Sequence, residues 1–311
     1  MKNRYGIGVD AGGTFLKATA ATPEGKVLCS LSTPTRPDLG PKAFVASTAE
    51  LVERIEKRLG GRSPGLCVAV AGDVDVQRGV LRRSPNLESY EGFPLRKALQ
   101  NGLKRPVSLH NDANMAAWGA YAVELKRKLP KVLVLTMGTG VGGGAVLDGK
   151  LLTGATGTAA EFGHMRIYPN GYPCNCGAHG CLEAHAGTYG LRRTVGELLA
   201  EKKSTSRLRN KDFTPKDVAD AANAGDNLAK EAWRRVGRAL GLGVVNLVYT
   251  FNPDAIVFAG GLSRAGALYM DTVKATADAE SFRGPFGHLK LLIAKRPDLG
   301  SVGAAVYALD A

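Results

Sequence analysis

His164 is followed by Cys174-Asn175-Cys176-Gly177-Ala178-His179-Gly180-Cys181, and one imidazole with three closely spaced thiols supplies the four soft ligands of a tetrahedral zinc site. A closed set of four leaves no water to activate, so the expected metal is structural. Bare thiols crowded into a glycine loop would instead be prone to oxidation. Glu161 and Glu183 flank the loop, and carboxylates on a metal-fixed wall can accept hydrogen bonds from vicinal sugar hydroxyls; the bland alternative is a pair of solvated surface glutamates. His179 and His185 read as bystanders, because the ligand set is complete without them.

Two glycine turns carry a second kind of chemistry. Asp10-Ala11-Gly12-Gly13-Thr14 sits where a first strand turns back, so backbone amides free of side chains can face an anion, with a hydroxyl alongside and Lys17 as a nearby cation. Gly138-Thr139-Gly140-Val141-Gly142-Gly143-Gly144 is a second strand-embedded turn, and two such turns on a duplicated fold can clamp a polyphosphate. Neither has the form G-x-x-x-x-G-K-[ST], and neither leads directly into a helix, which disfavours the P-loop and dinucleotide-binding alternatives. His110-Asn111-Asp112-Ala113-Asn114 follows a buried strand. A carboxylate there can take the proton of a hydroxyl attacking a γ-phosphoryl group, or simply cap the next helix.

The elements that position these residues follow from hydrophobic period and turn residues. Strands are expected at Tyr5 to Val9, Phe15 to Ala21 and Val27 to Leu31, then a helix from Phe44 to Leu59, a strand from Leu66 to Ala71, a helix from Pro94 to Asn101, a strand from Val107 to His110 and a helix from Met115 to Leu125. A weak internal echo begins at Lys131, where KVLVLTMGTGVGGGAVLDGKLL repeats the order of GIGVDAGGTFLKATAATPEGKVL: strand, Gly/Thr turn, strand, Gly-Lys turn, strand. An irregular loop from Leu151 to about Leu182 precedes helices from Thr188 to Phe251, with Asn227 to Tyr249 the longest. A strand at Ala255 to Ala259, the Gly260-Gly261 turn, a further helix, a strand at Leu289 to Ala294 and a helix from Val302 complete the chain, and Lys202 to Phe213 is the most loop-like polar stretch.

Composition narrows the class. At 311 residues the chain can hold two domains sharing a cleft, and its 40 glycines match a protein with many tight backbone approaches. The net charge of +13 would suit an anionic partner, but the basic residues scatter as Arg82-Arg83, Lys126-Arg127-Lys128 and Arg234-Arg235 without interleaved aromatics, so nucleic acid is not expected as a partner. A strand pattern begins almost at once, leaving no room for an apolar signal region, and no stretch reaches transmembrane length. Five cysteines, three of them in the zinc motif, suit a metal site in a reducing compartment, so the expected location is cytoplasmic, away from any membrane.

Asp10-Ala11-Gly12-Gly13-Thr14 with Lys17, Asn111-Asp112, Glu161-Phe162-Gly163-His164 and the run CxCGxxGCxE together resemble the ROK family (repressors, open reading frames and sugar kinases) over essentially the whole chain. The resemblance implies an α/β, duplicated actin-like ATPase (ribonuclease H-like) fold of two α/β domains around a cleft. Residues 1-112 would form the N-terminal domain, joined by the C-terminal helix 298-311, and residues 113-297 the C-terminal domain with the zinc loop and a helical insertion. It implies an ATP-dependent hexokinase, with glucose as first substrate and N-acetylmannosamine, N-acetylglucosamine, fructose or allose open. Asp112 would be the general base. Gly72, Asn86, Asn111, Asp112, Glu161, His164 and Glu183 would contact the sugar, with His164 also a zinc ligand beside Cys174, Cys176 and Cys181. Gly12, Gly13, Thr14, Lys17, Thr139 and Gly140 would meet the ATP phosphates, Gly260-Gly261 would form the adenosine-side turn, and Mg2+ would lie near Asp10. Dimers or tetramers are implied as well.

The sequence departs from the family pattern at Ala71, where proline is usual, and at Ala160, where glycine usually precedes the signature glutamate. Both fall on the expected sugar wall, where a single methyl can alter preference. Two other classes compete with the kinase. A sugar-sensing regulator of the same family would need a helix-turn-helix segment, and only nine residues precede Asp10. An actin-like activator holding an iron–sulfur cluster is disfavoured by the histidine-plus-three-cysteine spacing.

Overall fold

The computed structural model describes residues 4–84, 87–201, 205–209 and 212–311. The chain forms two compact units: residues 1–134, 144–160 and 298–311 make the first, and residues 135–143 and 161–297 the second.

In the first unit, β1 (Gly6–Ala11), β2 (Phe15–Ala21) and β3 (Val27–Pro34) form an antiparallel meander in which Asp10 pairs with Lys17. Helix α1 (Gly40–Leu59) buries Phe44, Thr48, Leu51, Val52 and Ile55, one helical stripe, and stops where Gly60 turns left-handed at φ 68° with its amide on the Glu56 carbonyl. β4 (Leu66–Val70) is buried at every residue and runs parallel to β1, as a strand covered on both faces must be apolar throughout. A small hairpin that the sequence did not announce follows, β5 (Asp73–Asp75) with β6 (Val80–Arg83). Its short strands lack apolar alternation, and Arg82 holds it through Asp73 at 2.9 Å and Asp75 at 2.8 Å.

Helix α2 (Leu95–Leu103) buries Leu95, Leu99 and Leu103 and leads to β7 (Val107–Asn111), parallel to β4, giving the sheet order β3-β2-β1-β4-β7. Helix α3 spans Asp112–Gly119 and runs on through a π-type turn at Ala120–Glu124, so the helix expected from Met115 begins one turn earlier. The early start comes from Asn111, whose side chain caps it.

β8 (Lys131–Met137), β9 (Val141–Leu147) and β10 (Lys150–Leu151) open the second sheet, whose order is β10-β9-β8-β11-β12. That order repeats the first sheet strand for strand, the structural counterpart of the sequence echo. Helices α4 (Leu182–Ala186), α5 (Thr188–Glu201), α6 (Pro215–Asn223) and α7 (Asn227–Phe251) follow the irregular loop; α6 starts at a capping box between Thr214 and Asp217, and α7 at the Asp226 cap. Of the polar stretch Lys202 to Phe213, residues 202–204, 210 and 211 lie outside the described residues. β11 (Ala255–Ala259) pairs in parallel with β12 (Lys290–Ile293) across the intervening helix α8 (Met270–Asp278).

The last helix, α9 (Leu299–Asp310), belongs to the first unit and begins three residues before the expected Val302. Its all-round apolar sequence is explained by burial on nearly every side, since Leu299, Val302, Ala304, Ala305, Val306 and Ala308 are all in the core.

Candidate functional site

Within the first unit, the parallel strands β1 and β7 carry Asp10, one residue before the end of β1, and Asn111, the last residue of β7 with Asp112 just beyond it, to the carboxyl ends where ligands meet α/β sheets. The β1–β2 turn is closed by the Gly12 amide on the Phe15 carbonyl at 3.0 Å. Thr35 braces it, its amide donating to the Thr14 carbonyl at 3.0 Å and its hydroxyl to the Gly12 carbonyl at 2.6 Å. Among the described residues the Gly13 and Thr14 amides donate to nothing, and both residues are exposed. Free amides on a braced turn form an anion-binding concavity.

The cap of α3 falls to Asn111 rather than to Asp112. Asn111 accepts from the Ala113 amide at 2.8 Å and the Asn114 amide at 3.3 Å, and donates through Nδ2 to the Gly72 carbonyl at 3.0 Å. Gly72 needs its residue type: its φ is 121°, and a Cβ there would lie 2.3 Å from the Arg83 carbonyl oxygen. Ala71 keeps its carbonyl on the Ser84 hydroxyl at 2.8 Å. Asp112 accepts the Ala113 amide at 2.9 Å, and the backbone hydrogen bonds from Ala113 and its own amide favour its charged form, but burial outweighs them and raises its pKa. Asp10 is pushed up to about 6 by burial and then by the charge of Asp112, against the pull of Lys17. Asn86 lies outside the described residues.

The second unit gathers the metal motif. Ligand atoms of His164, Cys174, Cys176 and Cys181 lie within 4.8 Å of one another. Cys174 Sγ stands 3.8 Å from His164 Nδ1, and Cys176 Sγ stands 3.8 Å from Cys181 Sγ. Ligands about 2.3 Å from a tetrahedral ion stand about 3.8 Å apart, so the donor set fits zinc in both chemistry and spacing. His164 offers Nδ1 to this cluster and keeps Nε2, 4.0 Å from Glu161 Oε2, for another partner. His179 and His185 stay outside it. His185 stacks on Tyr172 with ring centroids 4.5 Å apart, accepts the Tyr172 amide, and is pushed down to about 4 by burial and by Arg193.

The second glycine turn lies in the same unit. Gly138 donates its amide to the Gly140 carbonyl at 2.9 Å, and the Thr139 and Gly140 amides donate to nothing among the described residues. Glu183 accepts the Val141 amide at 3.1 Å through Oε2 and the Tyr189 hydroxyl at 3.1 Å through Oε1, so this carboxylate ties the turn to the metal loop. Gly260 (φ 87°) follows β11, its carbonyl held by the Ser263 hydroxyl at 2.8 Å. Sequence reasoning missed Thr35, Thr188 and Tyr189, which brace the two turns. Each is distant in sequence from the turn it serves, and no motif marks it.

The sequence model of the ROK family matches residues 6–311. The chain is 36% identical to a glucokinase of Thermotoga maritima, over 84% of this chain and 83% of that protein. Among solved structures it is similar to a ROK hexokinase from Thermus thermophilus, at 29% identity and a TM-score of 0.84 over 98% of both chains. It is similar as well to a ROK family glucokinase from Streptomyces griseus, solved in complex with glucose and AMPPNP, at 31% identity and a TM-score of 0.81 over 99% of this chain and 100% of that one.

Proposed function

The chain belongs to the ROK family and has the duplicated actin-like ATPase fold of its sugar kinases, and from that premise we propose that it transfers the γ-phosphoryl group of ATP to a hexose, converting glucose to glucose 6-phosphate. The observation that carries the reading is the Asp112 carboxylate at the end of β7, less acidic than an ordinary aspartate because it is buried. Raised basicity is what a general base needs as a sugar hydroxyl attacks phosphorus, since the hydroxyl becomes acidic only as the new O–P bond forms.

Asp112 takes that proton while Asn111, fixed by the Gly72 carbonyl, orients the hydroxyl beside it. Gly72, Asn86, Glu161, His164 and Glu183 hold the remaining sugar hydroxyls, and Ala71 and Ala160 shape the same wall. The free amides of Gly13, Thr14, Thr139 and Gly140, with Gly12 and Lys17, meet the polyphosphate, where negative charge spreads in the transition state. Gly260-Gly261 serves the adenosine side. Asp10 would hold the Mg2+ that accompanies ATP, which would supply charge neutralisation at the phosphates. Zinc held by His164, Cys174, Cys176 and Cys181 is structural, fixing the loop that bears Glu161 and Glu183.

Scattered basic residues give no nucleic-acid surface in this reading, and the working form is a cytoplasmic homodimer or homotetramer. No helix among the described residues is long and apolar enough to cross a membrane. The test is a coupled assay with ATP and magnesium across glucose, fructose, allose, N-acetylglucosamine and N-acetylmannosamine. Turnover on none of them would overturn the kinase reading. A higher kcat/KM on another sugar would reassign the substrate alone.

A further inference from the structure

Tyr189 lies one residue into α5, outside every motif that the sequence offered. Its hydroxyl is 3.1 Å from Glu183 Oε1 and 3.6 Å from Cys174 Sγ, and those two atoms are 3.4 Å from each other. When Cys174 serves as a metal ligand its sulfur is a thiolate, so two anionic atoms then stand in contact and the tyrosine proton lies between them. The other Glu183 oxygen accepts the Val141 amide at 3.1 Å. A Cβ built on Gly140 would fall 1.8 Å from that same oxygen, so the backbone of the glycine turn rests directly on the carboxylate. Thr188 fastens the other end of the turn, donating its amide at 3.0 Å and its hydroxyl at 2.9 Å to the Gly138 carbonyl.

We propose that Tyr189 is a positioning residue for the nucleotide: by holding Glu183 between the Cys174 sulfur and the Val141 amide, it fixes the Gly138 to Val141 turn and makes ATP affinity depend on the metal-bearing loop. This rests on the reading that the Thr139 and Gly140 amides meet the ATP phosphates. The metal anchors the sulfur, so Glu183 is the partner free to move when the proton between them is removed. Its swing strips the Val141 amide of a charge-assisted acceptor and leaves the turn held at the Thr188 end alone.

The test is calorimetric binding of a non-hydrolysable ATP analogue to zinc-loaded protein, with zinc content measured alongside. Tyr189→Phe should weaken the analogue about tenfold, the scale of one charge-assisted hydrogen bond, while zinc stays at about one per chain. In the Glu183→Gln background the same change should matter less than twofold, because a neutral amide does not repel the thiolate and can donate to it. Analogue affinity within twofold of wild type in Tyr189→Phe overturns the inference. So does a full tenfold effect persisting beside Glu183→Gln. Loss of zinc from Tyr189→Phe overturns it too, by making Tyr189 part of the metal site itself. If the wild-type protein binds no analogue, what falls is the kinase reading, so the two failures are distinguishable.

Discussion

Asp10 and Asp112 stand at one edge of the first sheet, at the ends of β1 and β7 with β4 between them: Asp10 is in register with Ala69, and Val70 with Asn111, the residue before Asp112. Helix α9 closes over both, since a Cβ on Gly300 would lie 3.4 Å from Asp10 Oδ2 and 3.9 Å from the Asp112 carbonyl oxygen. Burial raises the pKa of each, and the charge of Asp112 adds to that of Asp10, which reaches about 6. Burial drives both carboxylates away from ionisation, and Asp10 is opposed further by the charge of Asp112, so ionising both is costly and a cation or a proton relieves it.

Asp112→Asn separates catalysis from stability. Turnover should fall by about a hundredfold to ten-thousandfold, the usual worth of a general base, with sugar affinity little changed. The unfolding midpoint should rise, because the amide keeps the bond from Ala113 without burying a charge. Steady-state kinetics and a thermal melt of the same preparation check both halves. Near-normal turnover would remove Asp112 as the base.

Acid stability should expose an offset between Asp10 and His110. Asp10 rises from 3.8 to about 6, so the folded form keeps a proton that the unfolded chain releases; its penalty is complete above about 6 and fades as pH falls toward 4. His110 moves the other way, from 6.5 to about 4, pushed down by burial and then by Arg96, so stability is lost as pH falls through that window. Asp10→Asn deletes the first effect and leaves the second. The variant should be more stable than wild type at pH 7 yet lose stability faster on acidification, the two curves diverging in slope by up to about 1.4 kcal/mol per pH unit. Denaturant titrations at pH 7, 6 and 5 read this directly, and parallel curves would contradict it.

The strands, the two glycine turns and the metal motif were legible because each is local: a period, a run of glycines, or ligands within one loop. The repeated sheet order was legible too, since Lys131 to Leu152 echoes the first meander in sequence. The β5–β6 hairpin was not, because Arg82 holds it through ion pairs with Asp73 and Asp75 rather than through an apolar face. The braces Thr35, Thr188 and Tyr189 escaped for a related reason. Their partners are the carbonyls or carboxylates of distant residues, and an ordinary hydroxyl has no spacing that announces a long-range bond. The sequence left the Asp112 carboxylate open as a helix cap, and only geometry gave that role to Asn111.

Cys176→Ser tests the metal site. Wild-type protein should be colourless and carry about one zinc per chain, whereas a brown protein with visible absorbance would mean iron. Cys176 and Cys181 sulfurs are 3.8 Å apart, and replacing one removes a quarter of the ligand set. The variant should lose zinc, melt earlier and bind sugar more weakly, because metal binding and folding of the loop are linked. Unchanged melting and sugar affinity in a zinc-free variant would deny the metal its structural role.

Ala160 occupies a backbone position that favours glycine. Its φ is 69°, in the left-handed region, and it is 9% exposed immediately before Glu161. An L side chain there stores about 1 kcal/mol of strain that glycine would not. Glycine also frees the unfolded chain, which offsets part of the gain, so Ala160→Gly should raise stability by about 0.5 kcal/mol and the midpoint by about 1–2 °C. The same change removes the methyl of the residue that precedes Glu161, which the proposed function places on the sugar wall, so the ranking of hexoses should shift while the glucose kcat stays within a few-fold. A lower midpoint would show that the alanine methyl packs well enough to outweigh its backbone strain.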